Sequence, residues 1–479
     1  MTTLSLTVPS SCPPLPRVIQ GGMGRAVSSW RLASAVAHAG QLGLVSGTAL
    51  DLVLARRLQN GDRDGAVRRA LAAFPVPRFA QRVLARYFRP EGRSAGQPYA
   101  PVPRLALRQT RLAQELMVLG SFVEVWLAKE GHDGRVGINF LEKIQMAAPA
   151  AAYGSMLAGA DYVVTGAGIP RDVPHLLDQL AEHEHVEFPV TVVGGSNHTV
   201  DFDPEALLGE SLPAVSRPTF LAIVSAHALA EHLVRDDRTR PDGFVVEGQP
   251  VFGPRDQADL SKVAALGLPF WIAGAQGSPE ALVAAREAGA AGVQVGSLFA
   301  LAAESGLDPV LRDDVLARLR DGTLDVRTEA LTSPTGFPFK VAQLPGTLAD
   351  AGLTAARPRL CDLGYLRTPV QKDDGKVAYR CPAEPVHMYE RKGGDAADTV
   401  GRSCLCNSLA ANVGLGQTRA DGYVEPPLVT LGVDVAGASR LAERHAGAWT
   451  ARDALDWLLG DEPAEGVTDL TAGRAVISS

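Results

Sequence analysis

Two stretches, one helix apart, have residue types suited to holding a phosphate: Phe270 to Glu280 (FWIAGAQGSPE) and Gly292 to Phe299 (GVQVGSLF). Each is an apolar strand-like run that ends in glycine, where backbone N–H groups can meet an anion with no Cβ in the way. Ser278-Pro279 then starts a helix whose amino end adds to the same field. Further candidates follow other apolar runs. Asn139 ends Val136 to Phe140 with an amide able to hydrogen-bond a planar heterocycle. His227 lies two residues beyond Ser225, and its imidazole suits proton transfer near neutral pH or, alternatively, packing at a helix start. His198 falls in a polar stretch with less to position it.

Positioning these residues takes a repeated strand-helix unit. Apolar runs at Val18 to Gln20, Gln41 to Ser46, Val136 to Phe140, Tyr162 to Gly166, Phe220 to Val224, Gly243 to Glu247, Phe270 to Ala273 and Gly292 to Val295 read as eight parallel strands. Helical patterns between them predict a (β/α)8 TIM barrel over residues 16–310, with the two glycine-ended strands seventh and eighth. In such barrels the loops after the last two strands are the usual phosphate site. An open dinucleotide-binding sheet would place G-x-G-x-x-G after its first strand, and Gly22-Met23-Gly24 has no third glycine in register.

Residues 51–134, rich in Arg, Ala and Leu at helical spacing and broken by Pro75, Pro77, Pro90 and Pro101, form a helical insertion after the second strand. Val190 to Ser196, followed by the polar stretch to Asp203, suggests a small hairpin outside the alternation. Residues 311–479 form a C-terminal extension packed on the barrel. It contains Cys361, Cys381, Cys404 and Cys406, which could assemble thiolates for zinc or an iron–sulfur cluster. Lacking any C-x-x-C, they read first as buried small hydrophobes, with no metal.

Composition narrows the class. With 479 residues, 46% hydrophobic and 21% charged, the chain can bury a large core. A formal charge of −7 argues against a nucleic-acid footprint. No apolar run reaches membrane length, the start lacks a signal-peptide pattern, and five scattered cysteines fit a reducing compartment, so a cytoplasmic protein is expected.

The segments QGGMG, GINFLEKIQMA, GAGIPRDVP and the WIAG and GVQVGSLF pair, in this order, resemble nitronate monooxygenases (2-nitropropane dioxygenases). They are most similar to the longer branch related to the flavin-dependent enoyl reductases of polyunsaturated fatty acid synthases. The resemblance implies FMN at the C-terminal face of the barrel. Gly21, Gly22 and Met23 would pass beside the isoalloxazine, and Asn139 would contact its polar edge or the ribityl chain. Gly274, Gln276, Gly277, Gly296 and Ser297 would hold the phosphate, with Gly166, Ser225, Glu247 and Gly248 completing the ring of strand ends. It also implies oxidation of alkyl nitronates with molecular oxygen; the alternatives are NAD(P)H-dependent enoyl-thioester reduction, and flavin binding without turnover. A homodimer or a synthase partner is the expected association. One departure stands out: the family's Gly-Gly-His loop after the sixth strand is missing, and Val246-Glu247-Gly248 runs directly into Gln249-Pro250-Val251-Phe252, a loop shortened rather than substituted. His227 is then the candidate replacement base, and a substrate already in the nitronate form would need none.

Overall fold

A computed structural model describes residues 14–210, 212–248 and 258–460. Eight parallel strands close on themselves: β1 (Val18–Gln20), β2 (Leu42–Ser46), β3 (Val136–Leu141), β4 (Tyr162–Gly166), β7 (Thr219–Val224), β8 (Gly243–Glu247), β9 (Phe270–Ala273) and β10 (Gly292–Val295). The ring closes where β1 pairs with both β2 and β10. These are the eight runs expected from the sequence, and the (β/α)8 barrel is the observed fold.

Strands buried on both faces must be apolar throughout, which is why these runs stand out. Ile19, Leu42, Leu44, Tyr162, Val164, Leu221, Val245, Trp271 and Ala273 fill the barrel interior. Side chains alternate across a strand, so the next inward positions toward the carboxyl ends are Gly21, Gly166, Ile223, Ser225, Glu247 and Ala275. Those positions form the mouth.

The helical stretch after β2 divides into two parts. Helices α2 (Leu50–Gln59), α3 (Ala66–Ala72) and α4 (Pro77–Tyr87) all pack on α5 (Arg111–Lys129), and α5 alone of the four also packs against α1 (Trp30–His38), α6 (Ala148–Leu157), β2 and β3. Helix α5 therefore occupies the place of the barrel's own second helix. The hairpin differs in register from expectation. Its strands are β5 (Val186–Pro189) and β6 (Thr199–Phe202), flanking the apolar run Val190 to Ser196, which is their connection. Val190 and Val192 in that run are buried, while the Val193 backbone pairs with the extension, donating to the Pro369 carbonyl at 3.0 Å and accepting from Gln371 N–H at 2.9 Å.

The remaining barrel helices are α7 (Val173–Ala181), α8 (Pro204–Leu208), α9 (His227–Leu233), α10 (Leu260–Ala264), α11 (Pro279–Glu287), α12 (Ser297–Ala300) and α13 (Pro309–Arg320). The extension follows with two hairpins, β11 (Val326–Glu329) with β12 (Phe339–Ala342) and β13 (Thr368–Gln371) with β14 (Val377–Arg380). Its helices are α14 (Ala351–Ala356), α15 (Val386–Arg391), α16 (Leu405–Ala411), α17 (Ala436–Ala442) and α18 (Ala451–Leu459). Helix α18 packs on α1, α11 and α12, and α17 on α12 and α13, so the extension covers the side of the barrel where the chain closes. Among the described residues, no helix is long and apolar enough to cross a membrane.

Candidate active site at the barrel mouth

The loop after β1 is fixed from beneath. Buried Gln20 donates through Nε2 to the Gly21 carbonyl (2.5 Å) and to Ser28 Oγ (2.9 Å), while its Oε1 accepts from Leu44 N–H (3.1 Å). Ser28 Oγ in turn donates to the Gly21 carbonyl (2.8 Å) and accepts from Met23 N–H (2.9 Å). The backbone of Gly21 to Met23 is thereby held across the mouth.

Asn139 meets it there, its Nδ2 donating to the Gly22 carbonyl at 3.0 Å. A Cβ on Gly22 would run into the Asn139 side chain, so glycine is required for this approach. The other half of the amide, Oδ1, is buried with no hydrogen-bond partner, and so is Oε1 of Gln294 on β10. Gln294 lies against Gly21, where an added Cβ would sit 3.4 Å from its Cγ. Two buried carbonyl oxygens without donors thus share one wall of the mouth. Such atoms cost about 1–3 kcal/mol each unless a donor reaches them.

Beyond β9, Gly274 (φ 85°) and Ala275 (φ 56°) are consecutive left-handed residues. The turn leaves the N–H groups of Ala275, Gln276 and Gly277 without a backbone or side-chain acceptor among the described residues. The extension engages the same loops through their acceptors: Trp457 Nε1 donates to the Gly277 carbonyl (3.0 Å), and Gly432 N–H donates to Ser297 Oγ (2.9 Å). The Ser297 hydroxyl hydrogen and the Gly277 N–H are left to donate. Gly296 faces Met23, whose Sδ would lie 3.2 Å from an added Cβ. Left-handed alanines also follow β1 (Ala26), β2 (Ala49) and β4 (Ala167), so strained backbone gathers at this end of the barrel, as it does at functional sites.

Several expected residues have other engagements. Gly248 N–H donates to the Ala273 carbonyl at 2.7 Å, extending the sheet. Gly166 is packed against Ile223, whose Cδ1 would lie 2.8 Å from a Cβ. Ser225 is half-buried at the end of β7. Burial pushes the Glu247 carboxyl above its ordinary range, and Lys340, on the extension, partly opposes that rise. His227, first residue of α9, faces the start of α10: its Nδ1 is 3.4 Å from Asp259 N–H and its Nε2 3.4 Å from Lys262 Nζ. The turn after β8, where the family histidine is missing, lies outside the described residues. His198 Nε2 sits 3.2 Å from Gln371 Oε1, at the junction of hairpin and extension.

The cysteines are unbridged, with Cys381, Cys404 and Cys406 buried and Cys361 half-buried. Burial pushes the Cys404 thiol up to about 12. No group of three or more His, Cys, Asp or Glu side chains among the described residues is arranged around a single metal ion.

Gln294, Glu142, Lys143 and Lys340 were not singled out by sequence reasoning. A signal existed for Gln294: one amide at an inward position of an otherwise apolar barrel strand. The Glu142-Lys143 pair follows β3 directly within the GINFLEKIQMA segment. Burial pushes Glu142 up to about 7 although Gln145 Nε2 donates to it at 2.7 Å, and burial brings Lys143 down to about 8. Lys143 Nζ sits 3.8 Å over the Phe337 ring and 3.5 Å from Thr335 Oγ1, both from the extension. Lys340 had no local signal, because its approach to Glu247 depends on how the extension folds back.

Fold and mouth together define a (β/α)8 barrel with a polar, glycine-lined cradle at the carboxyl ends of its strands. No family model matches the chain, and no curated protein does. Solved structures superpose on it distantly. They include FabK from Thermotoga maritima (16% identity, 93% of this chain and 91% of that one, TM-score 0.45) and nitroalkane oxidase from Streptomyces ansochromogenes (15%, 93% and 94%, TM-score 0.41). Another is the enoyl reductase domain of MlnA from Bacillus amyloliquefaciens (11%, 70% and 65%, TM-score 0.35). The barrel itself rests on the strand order above.

Proposed function

We propose that the chain is an FMN-dependent oxidoreductase of the nitronate monooxygenase type, acting on alkyl nitronates with molecular oxygen. The observation that carries the reading is the pair of buried carbonyl oxygens, Asn139 Oδ1 and Gln294 Oε1, which lack donors among the described residues, while the Ala275 to Gly277 amides lack acceptors among them. A ligand that satisfies both has an N–H-bearing heterocycle at one end and an anion at the other, and FMN has both. Asn139 and Gln294 would hold the ring, with Gly21, Gly22 and Met23 along it. The amides of Gln276 and Gly277 and the Ser297 hydroxyl would hold the phosphate, with Gly274 and Gly296 giving clearance.

When bound, FMN supplies two-electron redox chemistry. The protein's own residues account for recruitment of an anionic substrate. Lys143, next to Glu142, and Lys340, opposite Glu247, supply two ammonium groups with which a nitronate anion could pair. Arriving as the anion, the substrate needs no α-proton removed, which accords with His227 facing α10 rather than the mouth.

Titration of the purified full-length chain with FMN, followed by flavin fluorescence, tests the cofactor; absence of saturable binding overturns the proposal. With flavin bound, oxygen uptake with propyl-2-nitronate is expected. NAD(P)H oxidation dependent on an enoyl thioester, without nitronate turnover, would assign the enoyl reductase reaction instead.

A further inference from the structure

The insertion and the β5–β6 region carry opposite charge. Residues 77–111 hold eight arginines and one carboxylate, Glu91, whereas residues 172–216 hold nine carboxylates and no Lys or Arg. In a chain of net charge −7 these are two concentrated blocks of opposite sign. Segregation of this kind bears on association rather than on fold.

Each block forms an exposed face. Helix α4 buries Phe79, Ala80, Val83 and Tyr87, which leaves Arg78, Arg82, Arg86 and Arg89 toward solvent as a stripe at helical spacing. Arg82 shares the buried Glu115 carboxylate with Arg111, so one negative charge meets two positive ones. Arg86 donates to the Tyr87 hydroxyl (3.2 Å) and Arg89 to the Phe88 carbonyl (2.9 Å), with no carboxylate on either among the described residues. On the acidic side, Glu187 and Asp201 stand directly opposite each other in the β5–β6 register, both exposed, with Glu182 and Glu184 just ahead. Arg217, which follows the block, pairs with Asp178 (2.7 Å), and no cation pairs with these four carboxylates among the described residues. Like charges one helical turn apart, or facing each other across two strands, repel. Both faces therefore gain from opposite charge brought from outside.

The two faces adjoin. Arg78 Nη1 is 3.6 Å from Glu210 Oε1, Arg111 Nη2 donates to the Leu207 carbonyl (2.5 Å), and Gln114 Nε2 donates to the Asp201 carbonyl (2.9 Å). A basic face beside an acidic one is self-complementary, because a two-fold axis at their junction sets each against its opposite on another copy. A wholly acidic partner on the arginines would instead stand next to Glu187 and Asp201, where like charges oppose docking.

We infer that these faces bind a second copy of this chain, in an isologous dimer where the α4 arginines of each copy meet the β5–β6 carboxylates of the other. The interface is independent of the flavin reading and uses none of its residues.

Sedimentation velocity of the full-length chain tests it. A dimer is expected at about 0.05 M salt, with a dissociation constant at least about tenfold higher at about 0.5 M, since exposed charges are screened. Arg86→Glu combined with Arg89→Glu should give a monomer with unchanged circular dichroism, and so should Glu187→Arg combined with Asp201→Arg. Mixing the two double variants should restore a dimer, because each reversed face then meets the other reversed face. A parent chain that stays monomeric at low salt, a dimer that the α4 double variant leaves intact, or a mixture that remains monomeric overturns the proposal.

Discussion

Gln294 and Asn139 exemplify polar atoms placed at a cost to stability in return for recognition. Replacing Gln294 by Leu removes a buried acceptor that nothing satisfies and keeps a side chain of similar length. The Gln294→Leu protein without flavin is therefore expected to melt above the parent by about 1–3 kcal/mol of stability, while its FMN affinity falls at least about tenfold. Scanning calorimetry and flavin titration on the same preparation read both changes. A loss of stability would show that Gln294 is a structural residue with a partner of its own. Glu142 gives a second prediction at this scale. Its folded pKa, about 7, exceeds the ordinary 4.5, so the group favours the fold at low pH, and that contribution is lost as pH rises from about 4.5 through 7. Glu142→Gln should leave Tm unchanged at pH 5 and raise it at pH 8, by no more than about 3 kcal/mol in stability. Lys143, brought down to about 8, acts with the opposite sign in a higher window, its contribution being lost as pH falls through about 8. The parent is thus expected to be least stable, as far as this pair is concerned, between pH 7 and 8.

At the scale of elements, the loops after β9 and β10 are braced from behind by α17 and α18. Gly437 lies so close to Gly277 that a Cβ would strike its carbonyl, and Trp457 donates to that same carbonyl. Trp457→Phe keeps most of the packing and removes one hydrogen bond, so a loss of about 1 kcal/mol is expected by urea unfolding. Flavin should bind more weakly as well, since the loop that carries the Gly277 N–H is no longer tethered through the Gly277 carbonyl; unchanged FMN affinity would separate the brace from the cradle. The barrel strands could be read from the chain because each is a short apolar run buried on both faces and bounded by glycine or a polar turn. Val190 to Ser196 looked like a strand for the same reason, yet its partner is Pro369 to Gln371, far along the chain, and no local pattern encodes that pairing. Gln276, Gly277 and Ser297 were visible as a glycine-rich cradle, whereas Trp457, Gly432 and Lys340, which shape it, reach it only through the fold of the extension.

For the whole molecule, the question is whether the barrel stands without residues beyond Arg320. Three buried charged residues mark how closely the extension is joined to it. Arg25 and Arg56, each 2% exposed, donate to the carbonyls of Cys406 and Leu415, and Asp51, 3% exposed, accepts from Tyr365. All three partners belong to the extension. Removing it would leave these groups facing solvent and would also uncover Leu298, Phe299 and Ala300 on α12, together with the part of α1 that α18 packs on. Exposed apolar area of that extent drives association rather than folding. A chain ending at Arg320 is therefore expected to be insoluble or to bind a hydrophobic dye as a loosely packed state, with no FMN bound, because Trp457 and Gly432 no longer fix the phosphate loops. Size-exclusion chromatography with dye fluorescence checks this. A monodisperse fragment that binds FMN as tightly as the full chain would make the extension an appendage, and would move the determinants of the site wholly into the barrel loops.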